Sequence, residues 1–458
     1  MSDLTRKLAA NVWSSLGGNA TALEALDVSG EGDLPSWFGV TDFASASIGV
    51  AGLAIAELVA QANRSIPAVD VDRRRSSFWF ARSVQPIGWR LPSIWDSIAG
   101  DYPAGDGWIR LHTNAPHHRR AVERVLGSHA GRDELAKAIV AWTKRDLETA
   151  IVDTGGCAAE MRTIAEWAAH DHGRHVNAEP LVHLSSTDRS PRNDWVPDVS
   201  RPLAGLRVLD LTRVLAGPVA TRFLAGFGAD VLRIDPHDWD EPPVVPDVTL
   251  GKRCAGLDLR QAGDRAMFER LLGAADILVH GYRPGALEGL GFGADARRAI
   301  RPGLIDVSLD AYGWTGPWAS RRGFDSLVQM SCGIAAEGMR LYNSDKPKPL
   351  PVQALDHATG YLIAATVVRS VTNRMVFGTG THARLSLART AKLLVDAGTA
   401  HRQATLRAFD HGDLAPDIEQ TDWGPAHRVL PPVAIQGAAM RWTLPANRLR
   451  SAEPVWNS

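Results

Sequence analysis

The strongest constraint on the fold lies in the middle of the chain. Val208-Leu209-Asp210-Leu211 is a short apolar run of buried-strand type, and a loop after it ends in Gly217-Pro218. Residues 220–225 then read as a helix closed by Gly226 and Gly228, and Val231-Leu232-Arg233-Ile234 reads as a second strand ending at Asp235-Pro236. Two strands joined through a helix run parallel, because the crossover returns the chain to the same end of the sheet. A helix at 266–274 and strands at 277–279 and 304–308 continue the alternation. The pattern predicts an α/β fold with a Rossmann-like, doubly wound parallel sheet, and puts ligands at the carboxyl ends of its strands. A dinucleotide is not expected there. Thr212-Arg213-Val214-Leu215-Ala216-Gly217-Pro218 stands where a GxGxxG loop would cradle a pyrophosphate.

The second constraint is an internal echo. An offset of 314 carries Asp42 onto Asp356, Ala44 onto Ala358, Ser45 onto Thr359, Ala51 onto Ala365, Arg75 onto Arg389 and Ser76 onto Thr390. Each copy reads as an Asp, a helix of small and apolar residues, a turn, a short alternating strand and a second helix. Chance likeness between two amphipathic helices is the competing account, and an ungapped offset across two helices and a strand argues against it. Residues 1–100 hold the first copy. Residues 101–185 open strand-like at Trp108-Ile109-Arg110-Leu111, turn helical, and predict a smaller α+β domain. Residues 186–202 belong to a Ser-, Asp-, Pro- and Arg-rich stretch and read as a linker. Residues 203–400 hold the Rossmann-like domain with the second copy, and 401–458 carry no assignment. Ala104-Gly105-Asp106-Gly107 reads as a hairpin turn.

Composition enters by exclusion. A net charge of −1 offers no global field for a nucleic-acid backbone. Three scattered cysteines, Cys157, Cys254 and Cys332, point away from a disulfide framework and toward a reducing compartment. No apolar h-region follows the first charges, and no apolar run is long enough to span a bilayer, so a soluble cytoplasmic protein without a membrane partner is expected. His170-Asp171-His172 with His175 matches no zinc spacing; it reads as a surface cluster, and no metal is expected.

Leu203-Ala204-Gly205-Leu206-Arg207-Val208-Leu209-Asp210-Leu211-Thr212-Arg213 and its continuation to Pro218 are similar to the opening of the class III CoA-transferases. That CaiB/BaiF-type family includes formyl-CoA transferase, carnitine CoA-transferase and the α-methylacyl-CoA racemases. Matches follow in family order at Phe227-Gly228-Ala229-Asp230-Val231, Gly251-Lys252-Arg253, Tyr282-Arg283-Pro284-Gly285, Gly323-Phe324-Asp325 and Asp356-His357-Ala358-Thr359-Gly360. Residues 1 to about 195 resemble a member's C-terminal half and 203 to about 400 its N-terminal half. The resemblance implies two truncated copies fused tail to head.

It further implies transfer of CoA from an acyl-CoA donor to a small carboxylic acid, with no permanently bound cofactor, in a homodimer. Asp356, in the family's D-x-x-x-G pattern with Gly360, is the implied nucleophile, expected to stay ionised beside a helix N-terminus. An N-cap is the competing role. Asp42 has Ala46 in place of the glycine, whose role is read as close approach by a ligand; Asp42 is therefore read as a structural cap or degenerate site. By position, Leu215 and Ala216 lie near the thioester, Thr249 to Lys252 around the nucleotide, Tyr282 and Arg283 around the adenine or pantetheine, and Arg322 near the phosphates. An exposed cationic face is the other reading for Lys252, Arg253 and Arg283. Phe324 stands where the racemases have a basic His, which argues against racemisation. Leu215, Gly281 and Gly289 depart from formyl-CoA transferase, so a non-catalytic acyl-CoA-binding protein is the other alternative.

Overall fold

The computed structural model describes residues 1–189, 195–400 and 404–457. Its largest sheet has seven strands, in the order Lys252–Gly256, Asp230–Asp235, Arg207–Leu211, Ile277–His280, Ile305–Asp310, Thr379–Ser386 and His183–Arg189. The first six run parallel. The apolar runs of the sequence are buried on both faces, as a helix-covered parallel sheet requires. Strand order reverses between Arg207–Leu211 and Ile277–His280, and the crevice at their carboxyl ends is the ligand position of a doubly wound sheet.

His183–Arg189 pairs antiparallel with Thr379–Ser386, so part of the expected linker is an edge strand. Its Ser185, Ser186 and Asp188 face solvent. A polar edge strand leaves no hydrophobic period to read, and the polar side chains protect the edge. Residues 190–194 of the expected linker lie outside the described residues.

The two echoing segments share local structure at the same offset. Val40–Asn63 and Ala354–Phe377 are helices of 24 residues packed on each other. Their N-caps, Gly39 (φ −73°, ψ 63°) and Gln353 (φ −75°, ψ 64°), have the same backbone, and both helices end at left-handed residues, Arg64 and Gly378. A strand follows each, Val69–Asp72 and Thr379–Ser386, and the side chain closing each strand accepts the N–H three residues on: Asp72 from Arg75, Ser386 from Arg389. The two segments differ in their sheets. Val69–Asp72 lies in a separate sheet between Leu26–Ser29 and Val433–Ile435. Val40–Asn63 has a mean hydropathy of 1.8 and is long enough to cross a membrane, but it is buried against its counterpart, and one core draws on both.

Of the residues 101–185 expected to form a smaller domain, those up to 160 contain a small α+β arrangement, while the strand His183–Arg189 belongs to the large sheet. Gly100–Ala104, Gly107–Leu111 and Ala158–Glu160 make an antiparallel sheet, with the hairpin turn at Gly105-Asp106, under a core around Ile109, Leu147 and Ile151. The C-terminal segment, unassigned from sequence, binds the halves together. Leu414–Thr421 and Gly424–Val429 pair on to Val84–Pro86, and Trp442 stacks on Trp79 at 5.4 Å while its Nε1 donates to the Arg222 carbonyl.

The histidine cluster differs from its expectation. His172 is buried, with Nδ1 accepting the Trp318 N–H at 3.1 Å and Nε2 at 2.6 Å from the Tyr312 carbonyl. Among the described residues no group of His, Cys, Asp and Glu is arranged to hold a metal.

Candidate active site

The reversal of strand order delivers Thr212-Arg213-Val214 and Gly281-Tyr282-Arg283 to one cleft of about 630 Å³. Arg213, Arg283 and Arg322 face it, and among the described residues none has a carboxylate within ion-pair reach. Arg213 lies over the Trp239 ring at 4.5 Å. Arg283 and Arg322 make only long contacts, to the Ser320 carbonyl at 3.5 Å and the Gly155 carbonyl at 3.4 Å. Burial and the neighbouring Arg322 charge hold Arg283 below its ordinary pKa, so an anion here relieves repulsion. Planar guanidinium groups without a carboxylate partner suit phosphate oxygens.

Four of the residues carried over for CoA line this cleft: Ala216, Tyr282, Arg283 and Arg322. Leu215 lines a second cavity beside it. Thr249 and Lys252 reach neither. Lys252 is fully buried, 2.9 Å from the Asp210 carboxylate and 2.9 Å from the Pro218 carbonyl, and burial draws it down to about 8. The Thr249 hydroxyl sits 2.8 Å from the Val245 carbonyl and 2.9 Å from that of Asn447. Asn447 also donates to the Lys252 carbonyl, so the C-terminal segment seals both residues away from any nucleotide.

Asp356 is the third residue of its helix and borders both cavities. It is not the helix cap. Asp325 accepts the N–H groups of Leu355 at 2.8 Å and Asp356 at 3.0 Å, and takes Gln329 Nε2 at 2.5 Å. No side-chain hydrogen bond reaches the Asp356 carboxyl among the described residues. Burial, then the Asp325 charge, push Asp356 well above the usual carboxylate range. This shift opposes the ionisation expected beside a helix N-terminus. A dipole contribution of about 0.3–1 kcal/mol moves a pKa by less than one, and burial exceeds it. Burial also lifts Asp325, to about 6.

Asp42 occupies the same helical position in the first copy with the opposite surroundings. Arg73 Nη1 donates to it at 2.8 Å, Ser2 Oγ at 2.5 Å and Thr5 Oγ1 at 2.7 Å. Burial pushes it up, but the Arg73 bond, the Ser2 bond and the Arg73 charge together hold it below the usual range. It is half of a buried ion pair rather than a helix cap.

The backbone at the boundary is strained. Val214 borders both cavities with φ +64°, where a β-branched side chain is crowded, and Glu241 Oε2 accepts its N–H at 2.8 Å. The helix Ala216–Gly226 begins next to it without a side-chain cap. The Ala216 and Gly217 N–H groups have no backbone partner among the described residues, as first-turn donors do not. Gly360 fits against this turn: a Cβ there would lie 2.5 Å from the Ala216 carbonyl oxygen and 2.9 Å from Val219 Cβ. The glycine serves approach between helices, not the approach of a ligand expected for it.

The second cavity, of about 330 Å³, takes walls from the first part of the chain, including Trp95 and His112. His112 stacks on Phe324 with ring centres 3.7 Å apart, and burial pushes its imidazole down to about 3, hence neutral. Sequence pattern alone does not mark Trp95, His112, Arg213 or Trp239 as site residues, because they lie outside the echoing segments and the family's contact positions.

Residues 203–423 match CoA-transferase family III. Over that stretch, just under half of its length, the chain is similar to that family. An acyl-CoA transferase of Gibberella moniliformis is 26% identical over 365 residues, 75% of this chain and 60% of that protein. An acetyl-CoA:oxalate CoA-transferase of Acetobacter aceti is 39% identical over 145 residues, 29% of this chain and 37% of that protein. A hypothetical protein of Mycobacterium tuberculosis, known by crystal structure, superposes with a TM-score of 0.38 at 29% identity, over 43% of this chain and 58% of that one. The chain spans about half the length of the curated relatives it matches. The likeness to the family rests on the match over 203–423, and the fold rests on the sheet order described above.

Proposed function

We propose that this protein moves CoA from an acyl-CoA donor to a carboxylic acid through a covalent intermediate on Asp356. One observation carries the reading: a buried carboxyl without a side-chain partner sits where an arginine-lined cleft meets a second, largely apolar cavity. The three arginines hold the phosphates of CoA, Tyr282 borders its path, and the thioester carbonyl comes to Asp356. Ionised Asp356 attacks that carbonyl, the C–S bond breaks, and an acyl–aspartyl anhydride and CoA thiolate result. The thiolate attacks the aspartyl carbonyl, releasing the first acid and leaving aspartyl-CoA. The acceptor carboxylate repeats the attack in reverse order, and the new acyl-CoA leaves with Asp356 restored. The Ala216 and Gly217 N–H groups are the candidate donors to the oxyanion. A carboxyl raised in pKa by burial is a stronger nucleophile once ionised. The named acceptor of the oxalate relative supports a carboxylic acid as co-substrate.

We read the two echoing segments as half-copies of one family fold, supported by their matching caps and strands. Three buried free cysteines fit a reducing, cytoplasmic setting. Incubation with an acyl-CoA and intact-mass measurement tests the reaction: an adduct on wild type, absent in Asp356→Ala that still binds CoA, is expected. Binding without adduct or exchange would establish a non-catalytic family member instead.

A further inference from the structure

The cavity on the far side of Asp356 has a chemistry distinct from the CoA cleft. Ile94, Trp95, Leu215, Pro242, Pro243 and Phe324 give it apolar walls. Its charged lining residues are all acidic: Asp96, Asp240, Glu241, Asp325 and Asp356. No lysine or arginine lines it among the described residues. The cations behind the wall are engaged. Arg119 is bonded to Asp96 at 2.9 Å, Arg450 is paired with Asp240, and Arg233 is paired with Asp235 at 2.8 Å and Glu241 at 3.5 Å. Arg110 packs on Trp95 at 4.6 Å with Nη1 on Asp101 at 2.7 Å. A ligand carboxylate here would find no free cation and would sit beside Asp325. Two buried polar atoms on the lining residues lack partners, Ser326 Oγ and His112 Nδ1.

Building on the reading of Asp356 as acyl acceptor, we propose that this cavity holds the acyl group and selects an uncharged, largely apolar acyl chain, alkyl or aryl, against acids bearing a second carboxylate. Apolar walls favour such a chain by burial, and its competitor's second carboxylate finds no free cation and meets Asp325; specificity is the difference between the two.

The test is equilibrium binding of hexanoyl-CoA, phenylacetyl-CoA and succinyl-CoA to Asp356→Asn, beside adduct formation on wild type with the same three thioesters. The expected result is at least tenfold tighter binding of the two apolar thioesters than of succinyl-CoA, and adduct with them first. Ile94→Arg, at a partly exposed wall position, should narrow that ratio at least tenfold by supplying the missing cation. Equal or tighter binding of succinyl-CoA overturns the selectivity even if an adduct forms. An unmoved ratio in Ile94→Arg overturns the location. Apolar preference in binding with no adduct from any thioester upholds the cavity's selectivity and sinks only the covalent role of Asp356.

Discussion

Asp325 accepts the backbone N–H of Asp356 at 3.0 Å, yet the two carboxyls oppose each other electrically: the charge on one raises the pKa of the other. The residue that fixes the start of the helix also sets the proton affinity of the carboxyl two residues into it.

Asp325→Asn separates these roles. Asn keeps an acceptor oxygen for the Leu355 and Asp356 N–H groups but removes the charge. Asp356 then loses its proton at lower pH. The acidic limb of the kcat/KM profile, set in wild type by ionisation of Asp356, should move down by about one pH unit or more, with stability changed by about 1 kcal/mol. A limb that stays in place would show that Asp325 acts through backbone alone.

Asp356→Asn should abolish exchange and stabilise the fold. The native state holds the Asp356 proton more tightly than the unfolded chain, whose value is near 3.8. Below that value both states are protonated and Asp356 is neutral for stability. As pH rises toward the raised native pKa the unfolded chain ionises first, and stability falls. Each tenfold difference in proton affinity between the two states is worth about 1.4 kcal/mol. The variant should match wild type near pH 3 and exceed it increasingly as pH rises toward 7 in denaturant unfolding. Equal stability at both pH values would contradict the burial argument.

The legibility of this fold follows what each side chain is buried against. Val208, Val231, Ile277 and Ile305 lie in strands covered on both faces, so an apolar run announces each one. His183–Arg189 is an edge strand with polar side chains and announces nothing. Lys252 matches a family motif but carries its charge to the interior, because Asp210 and Asn447 come from segments whose proximity no local pattern encodes. Trp95 and His112 reach the site by tertiary packing of the first part of the chain on the second. Leu26-Asp27-Val28-Ser29 also resembles Ile305-Asp306-Val307-Ser308, at a different offset, and each is the parallel neighbour of the strand that follows its segment's long helix.

Asp42→Ala should weaken the protein by about 1–3 kcal/mol, because the buried Arg73 guanidinium loses one of its two carboxylate partners and keeps Asp33. The Asp42 contribution has the opposite pH sense to that of Asp356. Its native pKa is lowered, so its stabilisation is present above the unfolded value near 3.8 and is lost as pH falls through the native value. Turnover per folded molecule should equal wild type. A variant that keeps its stability but loses exchange would move the nucleophile to the first copy.

Gly360→Ala and Ala46→Gly exchange the residues that differ between the copies at one helical position, and they should fail differently. A Cβ at Gly360 meets the Ala216 carbonyl at 2.5 Å, and backbone cannot rotate aside as a side chain can. The helix Ala216–Gly226 must shift, taking with it the N–H groups proposed for the oxyanion. Overpacking should cost about 1–3 kcal/mol. Exchange should fall at least tenfold in kcat with a smaller change in KM, since Arg283 and Arg322, proposed to hold CoA, lie on other segments. Ala46 is buried in a helix interior remote from both cavities. Ala46→Gly should therefore cost about 1 kcal/mol through helix propensity and leave kcat unchanged. Exchange kinetics on both variants, read beside their unfolding curves, decide the matter: equal losses of kcat would place the sensitivity in overall stability rather than in the Ala216 turn.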